Sequence, residues 1–508
     1  MPRLSTLLGL SGVDAAGSAG ARGTDPEVTR VDYDSRCCVP GSLFVAVAGF
    51  RADGHRYSAD AVRRGAVAVV AERAPHPRPR ASAPLIIVSD SRVALSALAA
   101  ALYERPSARL RVVGVTGTDG KTTTVSLIWS AWRAADIVAG ATSTIEWRIG
   151  DTVSANSSRQ TTLEAPDLHE RLATMRDAGC THAVLEVSSH GLELHRVDDV
   201  DFAAAVYTRV TSEHLELHGD RDAYLAAKAR LLSYASAHEE GVAVLDADDE
   251  FAFPTLGAIP VARRLTYSAA GRPSADVTAG NVRAGPDGVQ FDARTPWGRG
   301  SVGLRLTGTF NVANALAALA AACATGASFD AAVRGVESLE RVSGRMERIA
   351  LGQPFDVVVD YAHTAESLQT VLLELRASTR GRLWVVFGSA GERDTEKRAA
   401  MGTVAARLAD VAVITDEDPR QEDRLVILEQ IAAGATAAGG RRGDDVVVIP
   451  DRAEAITHAV RYAAPGDTVL CAGKGHERSL IVGTTAFPWD ERAVAEAAIR
   501  AWLGRASG

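Results

Sequence analysis

The sequence predicts an α/β protein built on open, mostly parallel sheets, and three observations carry that expectation. At 508 residues the chain exceeds one core and, at about 150 residues per domain, divides into roughly three. Apolar strands and helical stretches alternate from Arg111 to Arg341, and a second alternation begins at Phe355. Between an apolar run over 110–115 and a helix over 122–135 lies Gly114-Val-Thr-Gly-Thr-Asp-Gly-Lys-Thr-Thr-Thr124. This is the strand–loop–helix context that cradles a polyphosphate.

In such a loop Gly117, Thr118, Asp119 and Gly120 turn backbone amides toward the phosphates. Lys121 reaches the outer phosphates, and Thr122, followed by Thr123, offers a hydroxyl to Mg²⁺. The usual G-x-x-x-x-G-K-[ST] spacing is missed by one residue, because Val115 holds the first glycine position and the glycine is Gly114. An ordinary glycine-rich turn is the competing interpretation.

Composition narrows the class. The chain is 46% hydrophobic and 23% charged with a net charge of −8, which gives no basic surface for nucleic acid or an anionic membrane. Cys37, Cys38, Cys180, Cys323 and Cys471 are odd in number and form no C-x-x-C pair, against a disulfide framework or zinc site. Met1-Pro-Arg-Leu4 lacks the apolar core of a signal peptide, and no run of about 18 apolar residues could span a membrane. A cytoplasmic monomer with small-molecule partners is expected.

Residues 1–106 read as a small α/β domain, with strands over 42–48, 65–70 and 84–88 and an amphipathic helix over 92–103 ending before Pro106. The clusters Asp34-Ser-Arg36 and Phe50-Arg-Ala-Asp-Gly-His55 read, on chemistry alone, as turns with a solvated face. In 107–343, an apolar strand runs into Glu186, Ser188 and His190; a carboxylate at a strand's carboxyl end suits Mg²⁺. His214 and His218 have the spacing of a zinc pair but no adjacent third ligand, so His214 reads as a ligand or polar partner near the phosphates. Lys228 sits among alanines of a helix over 225–231, where pattern alone places it on a solvated face. Asn311 and Asn314 lead an alanine-rich helix, with capping the simplest role for Asn311.

Residues 344–508 follow a hinge over 341–347 and repeat the alternation, with strands over 357–363, 383–388, 411–415, 446–449 and 468–472. Polar clusters follow the strand ends: Asp360 and His363; Glu392-Arg-Asp394; Asp416-Glu-Asp-Pro-Arg420; Gly473-Lys-Gly-His-Glu477. At equivalent ends of one sheet these make a binding face.

Taken together, Asp34-Ser-Arg36, Gly117 to Thr123, Gln160-Thr-Thr162, Glu186 to Gly191, His214 to Gly219, Ala226 to Arg230, Phe310 to Asn314, Gly344 to Glu347, Asp360 to Thr364, Asp418 to Arg420 and Gly473 to Glu477 resemble the Mur ligases in order and spacing. The resemblance spans nearly the whole chain. It implies a UDP-substrate-binding domain over 1–106, a central ATP-binding domain over 107–343 and a Rossmann-like, amino-acid-binding domain over 344–508. It also implies ATP-dependent amide bond formation in peptidoglycan precursor synthesis, through an acyl phosphate on the D-glutamate of UDP-MurNAc-L-Ala-D-Glu and attack by a diamino acid. By the same resemblance Lys121, Thr122, Glu186, His214 and a carbamylated Lys228 serve the phosphates and Mg²⁺. Asn311, Asn314, Arg345 and Asp360 match contacts to the rest of ATP. Ser35, Arg51, Thr161, Thr162, Ser188 and Arg196 match contacts to the UDP-linked substrate. Arg393, Glu417, Asp418, Pro419, Arg420, Gly473 and Glu477 match the amino-acid pocket.

Five positions depart from the family pattern. Asp119 replaces an asparagine, Leu163 a proline common after the two threonines, and Leu194 a glutamine found in some relatives. Glu417-Asp418-Pro-Arg420 stands for Asp-Asn-Pro-Arg. Arg420 favours meso-diaminopimelate, whose distal carboxylate it would pair bidentately, whereas the Asp418 anion favours the distal ammonium of lysine or ornithine. A related ligase acting on folate or in secondary metabolism, or a silent nucleotide-binding regulator, are the other readings; Asp34-Ser-Arg36 and the intact Lys121, Glu186, His214 and Lys228 weigh against them.

Overall fold

The computed structural model describes residues 1–14, 25–50, 52–76, 83–158, 160–211, 213, 215–285 and 288–506, the side chains of Leu215, Glu216 and Ala506 excepted. The chain forms two compact units. One comprises Met1–Thr278, Thr295–Gly298 and Leu316–Gly335; the other comprises Ala279–Arg294, Arg299–Ala315 and Val336–Gly508.

The first unit holds two sheets. Four short parallel strands, Arg30–Asp32, Ser42–Ala46, Ala68–Ala71 and Leu85–Ile87, pair in that order. Side chains of successive residues leave opposite faces of a strand. Leu43 and Val45 therefore pack with Leu95 and Leu98 of the helix Ser91–Leu102, while Phe44 and Ala46 pack with Ala61 on the other side. That helix starts where the Asp90 carboxylate accepts the amides of Arg92 and Val93.

In the larger sheet the parallel strands run Arg263–Ser268, Val242–Asp246, Phe202–Tyr207, Arg111–Thr116, His182–Glu186 and Ala139–Thr142. Their interiors are buried on both faces, which is why they read as continuous apolar runs. Two antiparallel strands, Glu146–Ile149 and Thr152–Ala155, extend one side. Both are short and unforeseen from sequence; Thr152–Ala155 is exposed throughout.

The second unit's sheet orders Asp356–Asp360, Thr468–Ala472, Leu383–Phe387, Val411–Ile414 and Val446–Val448 in parallel, with Glu347–Arg348 antiparallel at one edge. A hairpin unforeseen from sequence joins Ser479–Val482 to Thr485–Pro488. Asn311 is the first residue of the helix Asn311–Ala324 and not the residue before it: its side-chain amide donates to the Thr307 carbonyl (2.7 Å), and its Oδ1 accepts from the Asn314 side chain (2.9 Å). Among the described residues no helix is long and apolar enough to cross a membrane.

Candidate active site

The glycine that broke the loop pattern does not belong to the loop. Gly114 lies inside the strand Arg111–Thr116, where a Cβ would come within 2.7 Å of Leu231 and 2.8 Å of Phe202. It is a packing glycine. The loop proper begins at Gly117, with φ +147°, where a Cβ would fall 1.9 Å from Thr208 Oγ1; no side chain fits there. Thr208 Oγ1 braces the loop by donating to the carbonyls of Thr116 (3.1 Å) and Asp119 (2.7 Å). Gly120 turns the chain at φ +86°, and the helix Lys121–Ala134 starts there with its amides facing the loop.

Strand register brings the reactive groups to one end of the sheet. Val115 lies opposite Glu186 on one neighbour, and Thr116 lies opposite Tyr207 on the other. Thr122 Oγ1 donates to both Glu186 oxygens at 3.0 Å, and the Thr144 amide donates to Oε2 at 2.8 Å. Lys121 Nζ donates to the carbonyls of Gly117 (3.1 Å) and Thr118 (2.6 Å).

Lys228 corrects the expectation from pattern. On the helix Arg221–Ser236 it is 1% exposed, and its Nζ reaches the same Gly117 carbonyl at 2.7 Å and lies 4.4 Å from the Tyr224 ring centroid. Burial, and then the nearby Lys121, hold its amine well below the usual lysine range against the opposing pull of Glu213 and Asp119. A lowered pKa favours the neutral, nucleophilic form of this amine relative to an ordinary surface lysine. His214 lies outside the described residues.

A second network adjoins Glu186. Thr144 Oγ1 meets Thr161 Oγ1 at 3.0 Å, while Thr162 Oγ1 donates to the Glu186 carbonyl (3.1 Å) and contacts Ser188 Oγ (3.0 Å). Arg196 donates to the Thr162 carbonyl (2.9 Å) and pairs with Glu164 (2.6 Å). Ser35 is buried in the turn Ser35–Cys37, capped by Asp34; among the described residues no hydrogen bond joins it to this network. Arg51 lies outside the described residues.

In the second unit the four clusters do gather at the carboxyl ends of the parallel strands. Asp360 Oδ1 and Oδ2 accept the amides of Ala362 (2.8 Å) and Met346 (2.7 Å), and Arg345 lies 4.6 Å from the Tyr361 ring centroid. Asn314 donates to Asn311 Oδ1 at 2.9 Å. Lys397 Nζ donates to the His363 carbonyl (3.0 Å), and the Gly391 amide donates to the Asp418 carbonyl (2.8 Å). Burial raises the Glu417 carboxyl, but Lys397, His363 and Lys474 outweigh it and hold its pKa below the ordinary value. Gly473, at φ +104°, brings its backbone against Glu417, where a Cβ would lie 3.3 Å from Oε2. Pro419 is buried in the same turn as Asp418, and Arg393 is exposed on the loop that follows Leu383–Phe387.

Family models match three stretches: "Mur ligase family, catalytic domain" over 27–103, "Mur ligase middle domain" over 115–322, and "Mur ligase, glutamate ligase domain" over 344–475. Over 486 residues the chain is 48% identical to the UDP-N-acetylmuramyl-tripeptide synthetase of Roseiflexus sp. (strain RS-1), covering 94% of this chain and 95% of the relative. The chain belongs to the Mur ligase family. This Mur ligase is also 41% identical over 495 residues to the UDP-N-acetylmuramoyl-L-alanyl-D-glutamate–2,6-diaminopimelate ligase of Streptomyces coelicolor, covering 97% of the chain and 96% of the relative. A solved structure of a ligase so named superposes with a TM-score of 0.64 at 31% identity, covering 95% of this chain and 97% of the other. A MurF structure from Acinetobacter baumannii shares the fold at 22% identity, with a TM-score of 0.67 and 98% of each chain covered.

Lys474 of this ligase did not stand out from the sequence, although the motif that contains it did. Its Nζ is buried between Asp418 and Glu477, at 2.8 Å from Asp418 Oδ1. The available signal was the lysine's place among three carboxylates of neighbouring strand ends. Arg452 carries no signal in the sequence pattern. Its guanidinium, fully buried on Glu491, donates to the carbonyls of Asp416 (2.9 Å) and Ala472 (2.7 Å), the residues preceding Glu417 and Gly473.

Proposed function

We propose that this Mur ligase joins a diamino acid, meso-2,6-diaminopimelate, to the γ-carboxylate of the D-glutamate in UDP-MurNAc-L-Ala-D-Glu, with ATP as the activating substrate. The observation that carries this reading is the convergence of Lys121, Lys228 and the Thr122–Glu186 pair on one end of the central sheet. A carboxylate is a poor electrophile, so it attacks the γ-phosphorus of ATP, ADP departs, and an acyl phosphate forms. The substrate amine then attacks the acyl carbon, and the tetrahedral intermediate collapses with loss of phosphate and the ammonium proton.

The chain's own groups fit those steps. Lys121 and the amides of Asp119 to Lys121 hold the polyphosphate, while the Thr118 amide is bonded to the Arg209 carbonyl at 2.8 Å and, with Thr208, braces the loop before the substrate arrives. The Thr122 hydroxyl and Glu186 carboxylate form an oxygen donor set suited to Mg²⁺, with His214 and Lys228 as further ligands. When bound, Mg²⁺ supplies charge neutralisation for the transferring phosphoryl group. The Lys228 amine, in the neutral form that its burial favours, adds CO₂ to form an N–C bond and releases one proton, so a neutral amine becomes a carbamate anion. Asn311, Asn314, Arg345 and Asp360 take the nucleoside end of ATP, and Ser35, Arg51, Thr161, Thr162, Ser188 and Arg196 take the UDP-linked peptide. Residues 1–106, 107–343 and 344–508 are the corresponding UDP-substrate, ATP and amino-acid domains.

Diaminopimelate is favoured over lysine and ornithine by Arg420. Its Nε is buried without a hydrogen-bond partner among the described residues, and its fork matches a distal carboxylate. The relatives named as diaminopimelate ligases support the same choice. The test is a turnover panel with the three amino acids on the wild type and Arg420→Ala. Diaminopimelate turnover should fall roughly 100-fold on losing a charge-assisted bidentate contact, and lysine turnover should change little. Equal losses for both amino acids reject this role.

A further inference from the structure

Asp418 is the position at which the chain departs from the Asp-Asn-Pro-Arg pattern, and the structure shows where its charge goes. Its Oδ1 accepts from Lys474 Nζ at 2.8 Å and from the Ile481 amide at 2.9 Å. Lys474 is 0% exposed, and it also contacts the Glu477 carboxylate. Ile481 belongs to the hairpin strand Ser479–Val482, and its carbonyl accepts the Arg420 amide at 3.1 Å. The Arg420 carbonyl in turn accepts the Gly483 amide at 2.7 Å.

Arg420 itself is held at φ +54°, a left-handed conformation that an arginine keeps only when its surroundings over-determine it. The bonds from Asp418 and Arg420 to the hairpin are what impose it. A buried carboxylate without a counter-ion would destabilise that arrangement, and Lys474 is the counter-ion. Burial opposes the charged form of Lys474, but Glu477 and Asp418 together hold its pKa above the ordinary lysine value.

We propose that Lys474 is a positioning residue for amino-acid recognition: by neutralising Asp418 it locks the Asp418–Arg420 turn to the Ser479–Val482 strand and so aims Arg420. On this account Asp418 is an internal anion, not an attractor for the substrate's distal ammonium. Its aspartate is therefore compatible with Arg420 reading a carboxylate. The inference rests on the proposed amino-acid ligase reading.

The experiment is a double-mutant cycle on the full chain with Lys474→Met, Asp418→Asn and both together, measuring KM separately for the amino acid, ATP and UDP-MurNAc-L-Ala-D-Glu. Lys474→Met strands a buried anion and should raise the amino-acid KM roughly tenfold or more, with the other two KM values near wild type. Asp418→Asn added to Lys474→Met should recover a large part of that loss, because the one anion then left without Lys474 is Glu477, which is more exposed than Asp418. If Lys474→Met does not fold, recovery of the fold in the double variant reports the same coupling. Asp418→Asn alone should leave the ratio of diaminopimelate to lysine turnover within about threefold of wild type, since the Ile481 amide keeps its acceptor. Additive effects in the cycle, or a selective loss of lysine or ornithine turnover in Asp418→Asn, would overturn the proposal. A wild type inactive with every amino acid would instead refute the ligase reading beneath it.

Discussion

Lys121→Met is expected to lower kcat by roughly 10³-fold, the usual scale for removing one preorganised group that meets developing charge. The fold should survive. Lys121 is only partly buried, and its two acceptors, the carbonyls of Gly117 and Thr118, lie in a loop that Thr208 braces independently. Gly117 also keeps the Lys228 amine at 2.7 Å. The lysine sits at the first turn of a helix, so the helix dipole and the loop amides still bind phosphate weakly without it. The loss should therefore fall on phosphoryl transfer more than on ATP binding. Steady-state kinetics with ATP varied would show a large kcat effect and a smaller KM effect; a variant with near-normal kcat would remove Lys121 from the chemistry.

Lys228 carries the second large effect. Lys228→Met should lose activity by a factor of roughly 10³, while thermal unfolding stays close to wild type, because the amine's departure leaves the Gly117 carbonyl bonded to Lys121. The sign of the pH dependence follows from burial. The folded amine titrates well below an ordinary lysine, through burial first and Lys121 second. Above that lowered pKa it is neutral and takes up CO₂; as pH falls through it, protonation blocks the carbamate and activity should decline. Preparation in CO₂-depleted buffer should lower activity, and added bicarbonate should restore it in the wild type but not in Lys228→Met. The carbamate carbon should appear by NMR after labelling with ¹³C-bicarbonate. Full activity of Lys228→Met would exclude any such role.

What the sequence disclosed depended on how each residue is buried. The parallel strands of both units were legible because strands covered on both faces are continuous apolar runs, as in Val112, Val113 and Val115. The polar edge strand Thr152–Ala155 and the hairpin strand Thr485–Pro488, exposed along their lengths, carry no such signal. The phosphate loop was legible from its glycines, but Gly114 was misleading because its missing side chain serves Leu231 and Phe202 instead. Lys228 and Lys474 show the sharper limit. In one dimension Lys228 looks like a solvated lysine and Lys474 like one member of a polar cluster, yet each is buried by residues distant in the chain: Lys228 by Gly117, 111 positions away, and Lys474 by Asp418, 56 positions away. Charge sequestered in this way is a tertiary fact, and local pattern does not contain it.

Coupled phosphate release is the most direct measurement of the proposed reaction. The purified chain, given ATP, Mg²⁺, UDP-MurNAc-L-Ala-D-Glu and meso-diaminopimelate, should release one phosphate for each tripeptide formed, and omission of either acceptor or amino acid should reduce release to background. No release with diaminopimelate, lysine or ornithine, or release that proceeds equally without the UDP-linked dipeptide, would contradict it.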